Sequence, residues 1–447
     1  MDTLPLLTHD ASPIAYREGR AIGVERFLSD AWVLAGRLPR ARHVLNVCAD
    51  RYRFAVGLAA CLLSDRVSLL PPTQTPEVIR RLRAFAPDLA CLTDRDDCDI
   101  ELPRLCWTET PAVRVDAREA PGIARAQLAA IVFTSGSTGV PLPHRKTWGR
   151  LVGSVRAAAA LLGLEGRRWT LIGTVPPQHM YGFESTVLLA FITGHAFAAE
   201  RPFYPADVAA AIRAAPRPRA LVTTPVHLRA LLSIALDLPA LDLIVSATAP
   251  LERDLAREAE RRFDARLVEI YGSTETGMLA TRRTTEGPAW RLWPGTRLRL
   301  EDGIAYASGG HIEQATALGD VIEMLDEQHF LLHGRTADLV NVAGKRSSLA
   351  YLDAQLLAIP GVRDGAFFWP EGAAGGHTGV ARLAAAVVAP GLSAAALLAE
   401  LRIRIDTAFL PRPLLLVDRL PRNATGKLPR DTLDALAARG RREARER

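Results

Sequence analysis

Five short apolar runs, each followed by a helix-like segment, constrain this chain more than any other feature. LAAIVFT (Leu128–Thr134), TLIGTV (Thr170–Val175), RALVTT (Arg219–Thr224), LDLIVSAT (Leu241–Thr248) and RLVEIYG (Arg266–Gly272) are rich in β-branched and aliphatic residues. They are almost continuously apolar, as strands buried on both faces are. Between them, Leu151–Leu164, Glu184–Thr193, Pro205–Ala214, Val226–Leu236 and Glu252–Phe263 carry helical spacing. Strand–helix alternation of this kind predicts an α/β fold with mainly parallel sheets flanked by helices. After Gly334 the pattern changes to shorter signals such as GAFFWP and AAALLAELRIRI. A boundary near Arg335–Ala337 therefore predicts a large N-terminal domain, residues 1–335, and a small α+β domain, residues 336–447, within the normal size range of domains.

Composition narrows the function. Of 447 residues, 49% are hydrophobic and 23% charged, an ordinary globular balance. No apolar run reaches the length of a membrane span, and MDTLPLLTHDASP lacks the basic start of a secretory signal. The five cysteines, Cys48, Cys61, Cys91, Cys98 and Cys106, form no CxxC pair and have no histidines at ligand spacing. Buried reduced thiols and a cytoplasmic location are expected. A net charge of +6 suits anionic partners such as nucleotides, coenzyme A or an acidic carrier protein. Aromatic residues are sparse and not interleaved with basic ones, so nucleic acid is not an expected partner, and the short apolar runs make a membrane equally unexpected. The basic tail Ala438–Arg447 reads as a solvated helix end.

Four motifs carry chemistry. Thr134-Ser135-Gly136-Ser137-Thr138-Gly139 ends a strand with hydroxyls and glycines, which together present donors to an anion. A plain Gly/Ser turn is an equal reading of those six residues alone. Tyr271-Gly272-Ser273-Thr274-Glu275-Thr276-Gly277 also ends a strand, where ligands of open parallel sheets bind. Glu275 there is a candidate Mg²⁺ ligand, or an ordinary acid in a turn. Asp320, after Gly319, can accept hydrogen bonds from ribose hydroxyls, and Arg335 can bind ribose or phosphate. Lys427 ends the loop PRNATGK, from which its long stem can enter a cleft.

In this order and spacing the four motifs resemble the adenylate-forming superfamily of acyl-CoA synthetases, peptide-synthetase adenylation domains and luciferases. The resemblance runs from about Val44 to Lys427. It implies ATP and Mg²⁺ as co-substrates, a phosphate loop at Thr134–Gly139, and a Mg²⁺ and adenylate motif at Tyr271–Gly277. It further implies ribose binding at Asp320, a catalytic lysine at Lys427, and a small domain that moves about the hinge Ala337–Asp338. PPQHMYG (Pro176–Gly182) implies an acyl pocket with His179, Tyr181 and Phe183, His179 also counting among the catalytic residues. SATAPL (Ser246–Leu251) implies Ser246 beside the adenine. Two departures stand out: Leu142 occupies the usual phosphate-loop lysine position, with Arg145 or Lys146 as substitutes, and Ala337 occupies the usual hinge position. SGSTGVPLPHRKTW and PPQHMYGFE resemble bacterial ligases of aryl-polyene and xanthomonadin-type pigment pathways. That likeness implies a small aryl acid as substrate and an acyl carrier protein's phosphopantetheine as thiol acceptor. Free coenzyme A, with aryl or fatty acids, is the alternative acceptor, and a non-catalytic nucleotide sensor is the alternative from outside enzymology.

Overall fold

The computed structural model describes residues 2–8, 12–108, 120–135, 141–335, 339–342, 345–370, 382–423, 428–429, 432–436 and 438. Gly136–Gly139, Ala337, Asp338 and Lys427 lie outside the described residues. The chain divides into two compact units, Met1–Arg297 with Ala307–Thr316, and Leu298–Tyr306 with Ala317–Arg447. The expected boundary at 335–337 falls inside the second unit, within Ala317–Arg447.

The first unit holds two large sheets and a short two-stranded one, Thr3–Pro5 paired with Gly122–Ala124. In the first, the strands run in the order Pro141–Thr147, Leu128–Ser135, Val67–Leu70, His43–Asn46, Ala90–Thr93 and Arg104–Cys106. All neighbours are parallel except Pro141–Thr147, which returns antiparallel along Leu128–Ser135. In the second, Arg266–Ser273, Leu243–Ser246, Arg219–Thr223, Thr170–Gly173, Ala196–Ala198 and Pro13–Arg17 are parallel. Gly277–Arg282 with Trp290–Leu292 extends one side antiparallel, and Arg20–Gly23 closes the other. All five strands expected from the apolar runs are present, shorter or longer by one to four residues in total.

Alternation along these strands divides two cores. Leu171, Ala220, Val222, Leu243 and Val245 face one core, which also takes Val44, Leu70, Ala130 and Val132 from the first sheet. Ile172, Leu221 and Ile244 face the opposite way, onto Ile212, Leu228 and Phe263 of the covering helices. Leu45, Leu69, Ile131 and Phe133 build a third core on the outer face of the first sheet. Both faces of each central strand are therefore buried, which is why the runs lack a polar period.

The helices follow the expected segments with one difference. Trp148–Leu162, Pro205–Ala214, Pro225–Leu232 and Arg253–Phe263 are regular, and Thr147 and Thr224 cap the first and third through their hydroxyls. The segment expected as one helix over Glu184–Thr193 instead opens with Met180–Gly182, widens to π geometry over Phe183–Leu188, and returns to α over Leu189–Thr193. Such wide turns accompany functional sites. Here the turn carries the buried carboxyl group of Glu184. The cysteines are free thiols; four are buried and Cys106 is half-buried. No helix among the described residues is long and apolar enough to cross a membrane.

In the second unit, Asp320–Met324 pairs antiparallel with His329–Arg335, and Leu339–Val342 with Lys345–Ser348. Helices Leu349–Leu357 and Ala394–Arg404 contribute Leu352, Leu356, Leu397 and Leu401 to a core with Phe367, Ala385 and Val387. The last three residues come from a sheet of Asp364–Phe368, Ala384–Val388 and Leu414–Leu416.

Candidate active site

Strand Leu128–Ser135 ends on Thr134 and Ser135, and the chain re-enters the sheet at Pro141, paired with Ser135. Successive strand residues point to opposite faces, so Leu142, His144 and Lys146 share one face and Arg145 the other. His144 Nε2 stands 3.0 Å from Thr134 Oγ1 and 3.6 Å from Glu275 Oε1. One imidazole thus joins the end of the expected phosphate loop to the expected metal carboxylate. Burial, with Lys146 and Arg150 nearby, lowers the His144 pKa against the pull of Glu275, so the ring is neutral at neutral pH.

The Tyr271–Gly277 segment is a tight turn between two antiparallel strands of the second sheet. Ser273 and Thr276 close it: their hydroxyls are 3.0 Å apart, and each hydroxyl accepts from the other residue's backbone N–H at 3.2 Å. Gly272 is required sterically, because a Cβ there would lie 2.2 Å from Gly277 O. Gly277 holds φ at +74°, in the left-handed region. The Tyr271 ring leans on Trp290, with centroids 5.6 Å apart. The turn leaves the Glu275 side chain 39% exposed. Partial burial raises its pKa, but its own backbone N–H, the Ser273 hydroxyl and the nearby Lys146 outweigh that effect and hold it below the usual value. Glu275 is therefore an ionised, half-exposed carboxylate.

That donor set suits Mg²⁺ carried by a nucleotide. Among the described residues no group of three or more His, Cys, Asp or Glu could hold a metal. A single carboxylate with phosphate oxygens and water is the usual way proteins hold Mg²⁺.

Lys146, named as a substitute for the missing phosphate-loop charge, does something else. Its side chain is buried, and Nζ donates to Thr274 O at 2.5 Å, with Glu275 O at 3.4 Å. It is committed to the turn and does not present a free ammonium to a phosphate. Burial lowers its pKa to about 8, with Arg150 adding to the effect. Leu142 is 52% exposed and Arg145 is exposed.

The acyl-pocket residues separate. Phe183 is fully buried and meets Phe54 edge to face, so it packs in the core. Tyr181 is also buried, and its hydroxyl donates to Val245 O at 2.9 Å. It ties the PPQHMYG segment to the strand that ends at Ser246. Only His179 keeps a half-buried position, capping Met180–Gly182 through Nδ1, which accepts from Tyr181 N at 3.3 Å. Ser246 is buried at its strand end, and its hydroxyl has no hydrogen-bond partner. Beside it in the sheet, Thr174 Oγ1 lies 2.9 Å from Thr223 Oγ1 and 2.7 Å from His227 Nδ1. A cavity of about 510 Å³ is lined by Arg125, Arg150, Arg156, His311 and Glu313, away from His179. Two of these residues, Arg150 and His311, also bond to the turn, at Glu275 O and Thr276 O.

In the second unit, Asp320 and Arg335 are cross-strand partners in one antiparallel pair. Arg422 forks Asp364 at 2.8 and 2.7 Å, which anchors the chain entering the PRNATGK loop.

Motif reading missed His144, Arg150, Glu184 and His311. His144 and Lys146 sit two apart on one strand, a spacing that signals a shared face. His311 has no local signal, since it reaches the turn from a distant part of the chain.

Residues 37–304 match the AMP-binding enzyme family. The chain is 32% identical over 288 residues to a 4-coumarate–CoA ligase of Rhodobacter capsulatus, covering 64% of this chain and 70% of that protein. It is 25% identical over 373 residues to a 4-chlorobenzoate–CoA ligase of an Arthrobacter species, covering 74% and 69%. The fold is that of o-succinylbenzoate CoA synthetase from Bacillus subtilis, solved with its acyl-adenylate, with a TM-score of 0.81, 19% identity, and 97% and 98% of the two chains covered. With more than half its length in the family match, the chain belongs to the AMP-binding enzyme family of adenylate-forming enzymes.

Proposed function

We propose that this protein is an AMP-forming acid–thiol ligase that activates a small aryl carboxylic acid and transfers it to a thiol. The observation that carries the reading is the convergence of Thr134, His144 and Glu275 from two different sheets. It brings a strand end rich in hydroxyls against an ionised carboxylate, as binding a metal–triphosphate needs.

In the first step the acid's carboxylate oxygen bonds to the α-phosphorus of ATP, and the bond from that phosphorus to the bridging oxygen of pyrophosphate breaks. Positioning and charge stabilisation dominate such transfers. Thr134–Gly139 hold the leaving pyrophosphate, Glu275 offers its carboxylate to Mg²⁺, and neutral His144 orients both without adding charge. The Mg²⁺ ion supplies neutralisation of the triphosphate. Lys427 bridges the carboxylate and the α-phosphate; Asp320 and Arg335 take the ribose; Ser246, Tyr271, Gly272, Ser273 and Thr274 face the adenylate. In the second step a thiol sulfur bonds to the acyl carbon, the carbon–oxygen bond of the mixed anhydride breaks, and AMP leaves. Residues 336–447 move about Ala337–Asp338 between the steps, withdrawing Lys427.

The names of the relatives, ligases of coumarate and chlorobenzoate to coenzyme A, support an aryl acid and free coenzyme A. A carrier protein's phosphopantetheine is the second reading, favoured by the likeness of SGSTGVPLPHRKTW and PPQHMYGFE to pigment-pathway ligases. Buried free thiols support a cytoplasmic location. The test is pyrophosphate release across aryl, fatty and amino acids, each with coenzyme A and with a phosphopantetheinylated carrier protein. Aryl acids are expected to give the highest specificity constants. A preference for octanoate overturns the aryl assignment, and transfer to one acceptor alone decides between the two.

A further inference from the structure

We propose that Lys146, acting with Arg150 and His311, is a positioning residue for adenylation: the three side chains hold three consecutive carbonyls of the Glu275 turn and so fix where its carboxylate stands. The inference rests on the reading of Glu275 as the cation-binding group. Lys146 Nζ donates to Thr274 O at 2.5 Å, Arg150 Nη2 to Glu275 O at 2.7 Å, and His311 Nε2 to Thr276 O at 2.8 Å. These donors come from three places: the strand leaving the phosphate loop, helix Trp148–Leu162, and the residue preceding strand Ile312–Leu318. A carbonyl only accepts, so His311 carries its proton on Nε2; its Nδ1 is buried without a partner.

A structural prop does not by itself need a lysine. Burying an ammonium forfeits its hydration, and an aliphatic residue would fill the same space without that cost. The counter-charge is buried as well: Glu184, in the π turn, accepts from Ser154 Oγ at 3.0 Å and attracts Lys146. The turn sits directly on this group. A Cβ on Gly277 would meet Ser154 Oγ at 3.1 Å, Glu184 Oε1 at 3.4 Å and His311 Nε2 at 3.4 Å. Because Lys146 lies on the same short strand as Pro141 and Leu142, any shift of the phosphate loop's exit is transmitted to the turn that bears Glu275. The charge absent at Leu142 is thus not restored at the phosphates; a cation four residues on aligns the carboxylate instead.

The experiment uses the full chain and acid-dependent ATP–pyrophosphate exchange measured against Mg²⁺ concentration, for Lys146→Met, Lys146→Arg, Arg150→Met and Glu275→Gln. Removing a group that orients a metal ligand typically costs about 10–100-fold. Lys146→Met is expected to raise the half-saturating Mg²⁺ by roughly tenfold or more and lower kcat, with the Michaelis constant for the acid unchanged. Lys146→Arg should recover part of the loss, and Lys146→Met should add little to Glu275→Gln. A folded Lys146→Met with wild-type Mg²⁺ dependence overturns the proposal. If Lys146→Met does not fold, Arg150→Met must show the Mg²⁺ shift, and a wild-type response there overturns it equally. Glu275→Gln separates the two readings. If it leaves Mg²⁺ dependence unchanged, the assignment of Glu275 fails and the proposal with it. If it shifts while the Lys146 and Arg150 variants do not, only the positioning proposal fails.

Discussion

Three motif glycines that look alike in the sequence should respond differently to an added methyl. At Gly272 a Cβ would lie 2.2 Å from Gly277 O and 2.9 Å from Met278 Cα. Both are backbone atoms of the paired strand, so neither can rotate away, and the turn must open by about an ångström to restore ordinary contact. Overpacking of this kind costs about 1–3 kcal/mol. At Gly277 a side chain meets a φ of +74°, a left-handed conformation costing about 1–2 kcal/mol for an L-residue. At Gly319, beside the expected ribose residue Asp320, nothing lies within 4 Å and φ is ordinary. Gly319→Ala should stay within about 0.5 kcal/mol of wild type. The assay is paired: denaturant unfolding for stability and ATP–pyrophosphate exchange for chemistry. An ångström of misplacement at a reacting site costs roughly a hundredfold in rate, so Gly272→Ala should lose about that much exchange while remaining folded. Wild-type stability and exchange in Gly272→Ala, or equal damage from Gly319→Ala, would refute the reasoning that the turn's geometry sets Glu275.

Three more outcomes follow from the site and the core. Lys427→Ala should cut adenylation by about 10²–10³ while ATP still binds and thioester formation from pre-made acyl-adenylate is spared; near-normal pyrophosphate release would contradict the assigned role. Leu142→Ala should change exchange by less than about twofold, as exposed positions without a partner do, because the side chain is 52% exposed and carries no charge; a large loss would show that the phosphate loop needs that residue. His195 is buried with neither ring nitrogen hydrogen-bonded, and burial, then Arg168, lowers its pKa to about 4. The unfolded chain takes up the proton near 6.5 and the folded one near 4, so this stability is full above about 6.5 and is lost as pH falls toward 4, up to ~3 kcal/mol. His195→Leu should flatten the fall in unfolding free energy over that window, and an unchanged slope would count against it.

The strands were legible because burial on both faces leaves a continuous apolar run between turn residues, as in Leu128–Phe133. The helix over Glu184–Thr193 was legible in hydropathy but not in pitch, since a π turn at Phe183–Leu188 buries the same residue types as an α turn. Glycine and hydroxyl motifs marked the loops, yet not what supports them. Lys146 is charged and follows a phosphate loop, so its sequence position suggests a phosphate contact; only the register with Leu128–Ser135 turns it inward to the Glu275 turn. Tyr181 and Phe183 show the reverse: their types favour core, and the core is where both are. His311 and Glu184 became visible only when distant elements met, which no local pattern encodes.

The most direct test of the central claim is to incubate the protein with ATP, Mg²⁺ and a hydroxybenzoate or cinnamate-type acid, without any thiol, and to identify the products by mass spectrometry. Acid activation predicts an enzyme-bound aryl-adenylate and one pyrophosphate released per adenylate, both dependent on the acid. ATP bound but unchanged across the whole range of acids, or cleaved to ADP and phosphate, would contradict it.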